Sequence, residues 1–315
     1  MTFSEKLLSD YTGMLDSKES IGYSRTTYLP YLKEFIDFCG EAYPDADSIT
    51  KEMLDKWLQK KQFKTNASHN SAVSRIRGFA RYQAATGKET YIPDGDYSAK
   101  TTRYNPYIFT DEELHRLFKA FDDIQPYFES PEREYITPVL FRMMYCCGLR
   151  PSEPLNLLYG DADLNTGTIY IRQAKRNRDR RILMSEQLTA LCRKYDSGKC
   201  PRTYFFEIKD GSRFPTYWMT NQFRICWRNS GLEKRGSPRP YDLRHNYATR
   251  VLMRWTDEGK DVMGMIPYLS AYMGHADFTA TLYYIHLLPG HLKNSAGIDW
   301  GRFSRIYPEA AYEEN

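Results

Sequence analysis

A chain of 315 residues has room for about two domains of ~150 residues, each large enough for its own core. Hydrophobic content of 41% and aromatic content of 15% exclude a disordered polymer, and no apolar run approaches the ~20 residues of a spanning helix. The net charge of +4 is too small to mark a nucleic-acid binder by itself, so the placement of charge has to carry that argument.

Residues 1 to about 90 are predicted to be helical. Tyr28, Leu32, Phe35 and Phe38 recur at helical spacing, then Met53, Leu54, Trp57 and Leu58, then Val73, Ile76, Phe79 and Ala80. Thr50 and Asn66 are expected as N-caps, and Gly40 and Gly87 as stops. Between Lys51 and Arg81 stand eight Lys or Arg residues against two acids, Glu52 and Asp55. Arg77 and Arg81 are one turn apart off the apolar arc. With Lys60, Lys61 and Lys64 they are candidate DNA-backbone contacts, although such a run is also what a solvated helix face looks like. Residues 91–107, rich in Pro, Gly and polar side chains, are predicted to be a linker.

A second domain is expected from residue 108 to 315. Thr110 and Glu113 have capping-box spacing ahead of Leu114, Leu117 and Phe118. A buried helix over Ile136 to Cys147, with Cys146 and Cys147 in its core, should turn at Gly148 and be followed by a helix near Ser152. Thr168 to Ile171 and Arg181 to Met184 are predicted as paired strands, joined by a basic connection. From Arg172 to Arg181 six basic residues face Asp179 alone. Helices are expected from Gln187 onward, and Tyr204, Phe205 and Phe206 read as a buried strand or helix start. The fold class is therefore mainly α with a small antiparallel sheet.

Four separated segments each offer a group suited to a phosphate: GLRPSE at 148–153, QAKRNRDR at 173–180, YDLRH at 241–245 and GHADFTATLYY at 274–284. Singly each has an ordinary explanation, such as a surface ion pair, a solvated hairpin, a helix end or a packed aromatic. In this order and spacing they resemble the tyrosine recombinase (phage integrase) family over roughly residues 20 to 290. The resemblance implies a helical core-binding domain followed by a tyrosine recombinase catalytic domain. It puts the two catalytic arginines at Arg150 and Arg244, a supporting acid at Glu153, the hairpin lysine at Lys175 flanked by Arg176 and Arg178 as DNA contacts, His275, and the nucleophile at Tyr284, nine residues after His275. Many relatives have a histidine three residues before the second arginine. Here that residue is Tyr241, which can share hydrogen bonds but cannot act as an imidazole base.

These residue types suit phosphodiester transfer. Two guanidiniums can clamp the non-bridging oxygens as their charge grows, and they stay protonated at any working pH. A tyrosine attacking phosphorus gives a covalent link that splits strand exchange into two steps, with Lys175 as proton donor to the leaving 5′-oxygen. No sequence pattern offers clustered carboxylates for Mg²⁺ or a phosphate-binding loop for ATP, and His275, His286 and His291 match no zinc spacing, so no metal or cofactor is expected. The resemblance implies double-stranded DNA recombination sites as partner, a tetramer on two such sites, a tail (Leu287, Leu288, Leu292) that docks on a neighbouring subunit, and room for accessory directionality factors. The stretch Met1 to Asp10 does not read as a signal peptide. A cytoplasmic, nucleoid-associated location with reduced cysteines and no membrane partner is expected. Other readings of the same residues are an inactive DNA-binding relative, which Tyr241 would favour, a type IB topoisomerase, and a metal-dependent nuclease.

Overall fold

The computed structural model describes residues 2–23, 25, 28–101, 104–172, 179–275 and 279–286. The chain divides into two compact units, Met1–Tyr104 and Asn105–Asn315.

The first unit is built from α1 (Phe3–Ser20), α2 (Leu29–Ala42), α3 (Lys51–Lys60) and α4 (Asn66–Ala85). Helix α1 precedes the three periodic segments expected, starts at a Thr2/Glu5 capping box and buries Phe3, Leu7, Tyr11 and Met14. Thr50 caps α3 as expected, but α4 is capped by Thr65 rather than Asn66, because the Thr65 hydroxyl accepts from Ser68 N. Apolar side chains three and four apart face one core, in which Phe35 meets Trp57 edge-on at 5.4 Å.

Most of the expected linker instead packs on this unit. Tyr91 N donates to Ile49 O at 2.8 Å, Tyr97 Oη donates to Asp55 at 2.6 Å, and the Asn70 amide exchanges two hydrogen bonds with the Ala99 backbone, at 2.7 and 2.8 Å. Polar side chains thus satisfy a backbone that has no ladder of its own.

The second unit runs α5 (Asp111–Asp122), α6 (Arg133–Cys147), α7 (Ser152–Leu155), β1 (Ala162–Asp163), β2 (Thr168–Ile171), β3 (Arg180–Leu183), α8 (Glu186–Asp196), α9 (Thr216–Asn229), α10 (Pro240–Asp257), α11 (Val262–Met273) and α12 (Thr279–His286). The Thr110/Glu113 capping box is formed, and α6 ends at Gly148 in the left-handed region, where a Cβ would be strained. The expected helix at Ser152 is a single turn. The three strands form one antiparallel sheet in chain order, with Thr168 opposite Leu183 and Ile171 opposite Arg180. Ile169, Ile171 and Ile182 point inward, which is why this β-branched alternation becomes a half-buried sheet.

Phe121 stacks on Phe141 at 4.4 Å in the main core, while α10, α11 and α12 enclose a second cluster around Leu252, Ile266, Leu282 and Ile285. Phe205 and Phe206 are buried as expected, beside a single bridge from Leu158 to Tyr204. Cys146 departs from expectation. It is exposed, while Cys147, about 100° further round α6, takes the core position. No helix among the described residues is long and apolar enough to cross a membrane.

Candidate active site

Helix α11 stops where Gly274 enters the left-handed region at φ 63°. A helix end leaves carbonyls without intrahelical partners and carries a partial negative charge. Three successive carbonyls there are each held by a different arginine. Arg180 Nε donates to Tyr272 O at 2.8 Å, Arg244 Nη2 to Met273 O at 2.7 Å, and Arg150 Nη2 to Gly274 O at 2.6 Å. The arginines come from β3, from α10 and from the turn after α6, so distant parts of the sequence converge on one helix terminus.

One carboxylate sits among them. Glu153 Oε1 accepts from Arg150 Nη1 at 2.8 Å and Arg180 Nη1 at 2.9 Å, while Oε2 accepts from Arg150 N at 2.8 Å and Arg180 Nη2 at 2.7 Å. Arg244 Nη1 lies 3.9 Å from Oε2 and donates to Gly148 O at 2.6 Å. Burial alone would raise the Glu153 carboxyl, but the hydrogen bonds and charge of Arg180, the charge of Arg244 and the Arg150 N–H outweigh it and hold the group below its ordinary range. Three guanidiniums against one carboxylate leave a local excess of two positive charges (3 − 1 = 2). Arg244 is fully buried, and its Nε has no hydrogen-bond partner among the described residues. A buried donor of this kind marks a place where another acceptor belongs.

His275 follows the end of α11. Its Nε2 is 3.0 Å from Arg244 Nη2 and its Nδ1 is 2.6 Å from Thr281 Oγ1. Arginine only donates, so Nε2 must be the accepting nitrogen and Nδ1 carries the proton. Burial, then the charges of Arg244, Arg150 and Arg180, lower the imidazole to about 3, so it is neutral. The Tyr284 ring on α12 lies parallel to that of His275, centroids 6.1 Å apart, and the residue is buried. Burial pushes the Tyr284 phenol up to about 12, against the pull of the Arg244 charge. Tyr241 and His245, one turn apart on α10, have rings 4.9 Å apart, and His245 is 5.6 Å from Tyr284. Burial and the charges of Arg244 and Arg239 lower His245 to about 4, and its Nδ1 is buried without a partner among the described residues.

Arg150, Glu153, Arg244, His275 and Tyr284 are therefore brought together, with Tyr241 bordering them through His245. Lys175, Arg176, Arg178, His291 and the tail from Leu287 onward lie outside the described residues. Arg180 is a member of the cluster that sequence reasoning missed. The only signal for it was its place in a run of basic residues that all looked solvated.

The basic residues of the first unit are dispersed. Lys60 lies 5.5 Å over the Phe38 ring, Lys61 pairs with Glu34, and Lys64 and Arg81 are exposed. Arg77 turns to the carbonyls of Pro93 (2.6 Å) and Asp94 and holds the 91–99 stretch.

The sequence profile of the Phage integrase family matches residues 108–291, more than half of the chain and all of the described cluster. The chain belongs to the phage integrase family. Among integrase relatives, a Sinorhizobium fredii protein of the integrase/recombinase class is 28% identical over 265 residues, covering 80% of this chain and 84% of its own. Tyrosine recombinase XerA of Thermococcus kodakarensis is 22% identical over 295 residues, 94% of this chain and 95% of its own. In fold, the integrase chain is similar to a lambda integrase dimer bound to a COC′ core site (TM-score 0.64, 16% identity, 90% and 95% of the two chains). It is also similar to the XerH recombinase bound to difH in a pre-cleavage complex (TM-score 0.61, 18% identity, 82% and 76%).

Proposed function

We propose that this protein is a site-specific DNA strand-transferase that cleaves and rejoins duplex DNA through a 3′-phosphotyrosyl link to Tyr284, exchanging strands between two sites. The observation that carries this reading is the convergence of Arg150, Arg244, His275 and the buried Tyr284 around the end of α11. The excess of two positive charges suits a phosphodiester, which carries one negative charge and gains a second as phosphorus becomes five-coordinate. Guanidiniums thus supply the stabilisation that many phosphoryl-transfer enzymes draw from a metal ion, and the phosphotyrosyl bond conserves the energy of the broken linkage without ATP.

In the cleavage step the Tyr284 oxygen bonds to phosphorus, the P–O5′ bond breaks, and Lys175 gives a proton to the departing 5′-oxygen. The phenol must shed its own proton, and Tyr241 stands where an imidazole would take it. Both nitrogens of His275 are engaged, by Arg244 and Thr281, whereas His245 Nδ1 has no partner among the described residues. His245, whose ring lies 5.6 Å from that of Tyr284, is taken as the acceptor in this reading. Lys60, Lys61, Lys64, Arg81, Arg176 and Arg178 would contact the DNA backbone, and Arg77 would act indirectly by holding residues 91–99. Assembly as a tetramer on two sites, with the tail docked on a neighbour, is part of the same proposal, and the family match supports it.

The test uses a duplex selected from a randomised pool by binding to the full chain, with nicks walked across it to trap the cleaved strand. A covalent protein–DNA adduct should form in the presence of a chelator and be lost in Tyr284→Phe but not in Tyr283→Phe. An adduct that survives Tyr284→Phe, or cleavage abolished by the chelator, would refute the reading. Relaxation of supercoiled plasmid without a selected site would favour topoisomerase action instead.

A further inference from the structure

We infer that Arg180 is a positioning residue for strand cleavage: it makes the bidentate pair with Glu153, so that Arg150 commits only one Nη to the carboxylate and turns the other toward Gly274 and His275, and it ties the base of the β2–β3 hairpin to the end of α11. The inference rests on the reading of Arg150 as a phosphate ligand.

Arg180 is buried to 8% side-chain exposure, and all three of its nitrogens are engaged within the protein. It is aimed at Glu153 and Tyr272, so it is not itself a phosphate ligand. Arginine and carboxylate left alone pair fork to fork, with two parallel hydrogen bonds. If Arg150 and Glu153 did so, both Nη atoms of Arg150 would be turned to the carboxylate. Instead Arg180 makes the bidentate pair, the Arg150 backbone N–H takes a further position on Oε2, and Arg150 reaches the carboxylate through Nη1 alone. Its other end, Nη2, is directed to the carbonyl of Gly274, next to His275.

The same guanidinium fixes two further parts. Arg180 is opposite Ile171 in the last described rung of the hairpin, close in sequence to Lys175, and its Nε grips Tyr272 at the end of the helix that precedes the Tyr284 segment. A Cβ on Gly274 would stand 2.9 Å from Arg180 Nη1, so the absence of a side chain there lets the guanidinium pass. The base of the hairpin and the end of α11 are thereby referenced to one buried group.

The experiment measures single-turnover adduct formation on the selected nicked duplex at saturating protein, together with the dissociation constant and a thermal melt, for Arg180→Ala, Arg180→Lys, Glu153→Gln and Arg180→Ala/Glu153→Gln. Arg180→Ala should slow the covalent step by about a hundredfold, the scale of a small misplacement of a reacting group, with DNA affinity unchanged. Arg180→Lys should not restore the rate, because an ammonium cannot span both carboxylate oxygens and a carbonyl. The double variant should be no slower than the slower single one. Full activity in Arg180→Lys would reduce the residue to a point charge and overturn the inference, as would a loss confined to affinity. Should Arg180→Ala fail to fold, the charge-retaining Lys variant decides alone. Absence of any adduct with the unsubstituted protein would instead sink the recombinase reading.

Discussion

Nε2 of His275 lies 3.0 Å from Nη2 of Arg244, and because the guanidinium can only donate, the imidazole orients the arginine by accepting from it. A residue with an acceptor at that place should preserve part of the function. His275→Gln is expected to retain substantially more adduct formation than His275→Phe, which should lose about a hundredfold by leaving a buried donor unpaired beside the reacting group. Equal losses in the two variants would mean that the imidazole acts by another route, such as direct donation to the phosphate.

The two half-buried histidines make stability depend on pH. Folding lowers His275 to about 3 and His245 to about 4, against an ordinary histidine value of 6.5. Between those values and 6.5 the unfolded chain binds more protons than the folded one, so the stability contributed by keeping the rings neutral is complete above 6.5 and is lost as pH falls through that window. From about pH 7 to about pH 5 the loss should be on the order of 1–2 kcal/mol for each histidine. Thermal melts across this range should show the decline, and His245→Phe should remove part of it. A midpoint insensitive to pH in both proteins would contradict the assigned neutral state.

The reaction should respond to pH differently. His245 is neutral above about 4 and Tyr284 keeps its proton below about 12, so a proton passing between them gives a cleavage rate that is flat over about pH 6 to 9. His245→Phe removes the acceptor, and hydroxide must then serve, so the rate should climb with pH. A wild-type rate that itself climbs across this range would exclude His245 as the acceptor.

Gly148 is strained for any other residue twice over. Its φ is 60°, and a Cβ would stand 2.6 Å from the Tyr247 ring. Its carbonyl also holds Arg244 Nη1. Gly148→Ala should therefore destabilise the fold by about 1–3 kcal/mol and slow cleavage as well, because the arginine loses its seat. Calorimetry and adduct kinetics on the same variant check both. An unchanged melting temperature would show that Tyr247 yields without strain.

The convergence of Arg150, Arg244, His275 and Tyr284 was legible because they lie in short segments whose order and spacing resemble those of the family. Helix periodicity likewise foretold the apolar faces of α2 to α4 and the capping box at Thr110, both being local properties. What stayed hidden depends on contacts across long separations. Arg180 reads as one more solvated base until Glu153 and the carbonyl of Tyr272 are brought beside it, and Arg77 reads as a DNA contact until residues 91–99 fold back over it. Cys146 was misplaced because a one-residue step round α6 separates the core from solvent, and an apolar run does not say which of two adjacent cysteines faces in.

Asn246, two residues beyond Arg244 on the same helix, has both polar atoms of its buried carboxamide engaged, with both amide hydrogens used. Oδ1 accepts from Phe109 N at 3.0 Å, while Nδ2 donates to Tyr107 O at 3.0 Å and Asp242 O at 2.9 Å. The chain thus enters the second unit along a seam sewn to α10. A fragment cut to begin at residue 110 would leave Oδ1 and one hydrogen of that buried amide without their partners, so the shortest excised piece with its arginine helix properly seated starts no later than Tyr107.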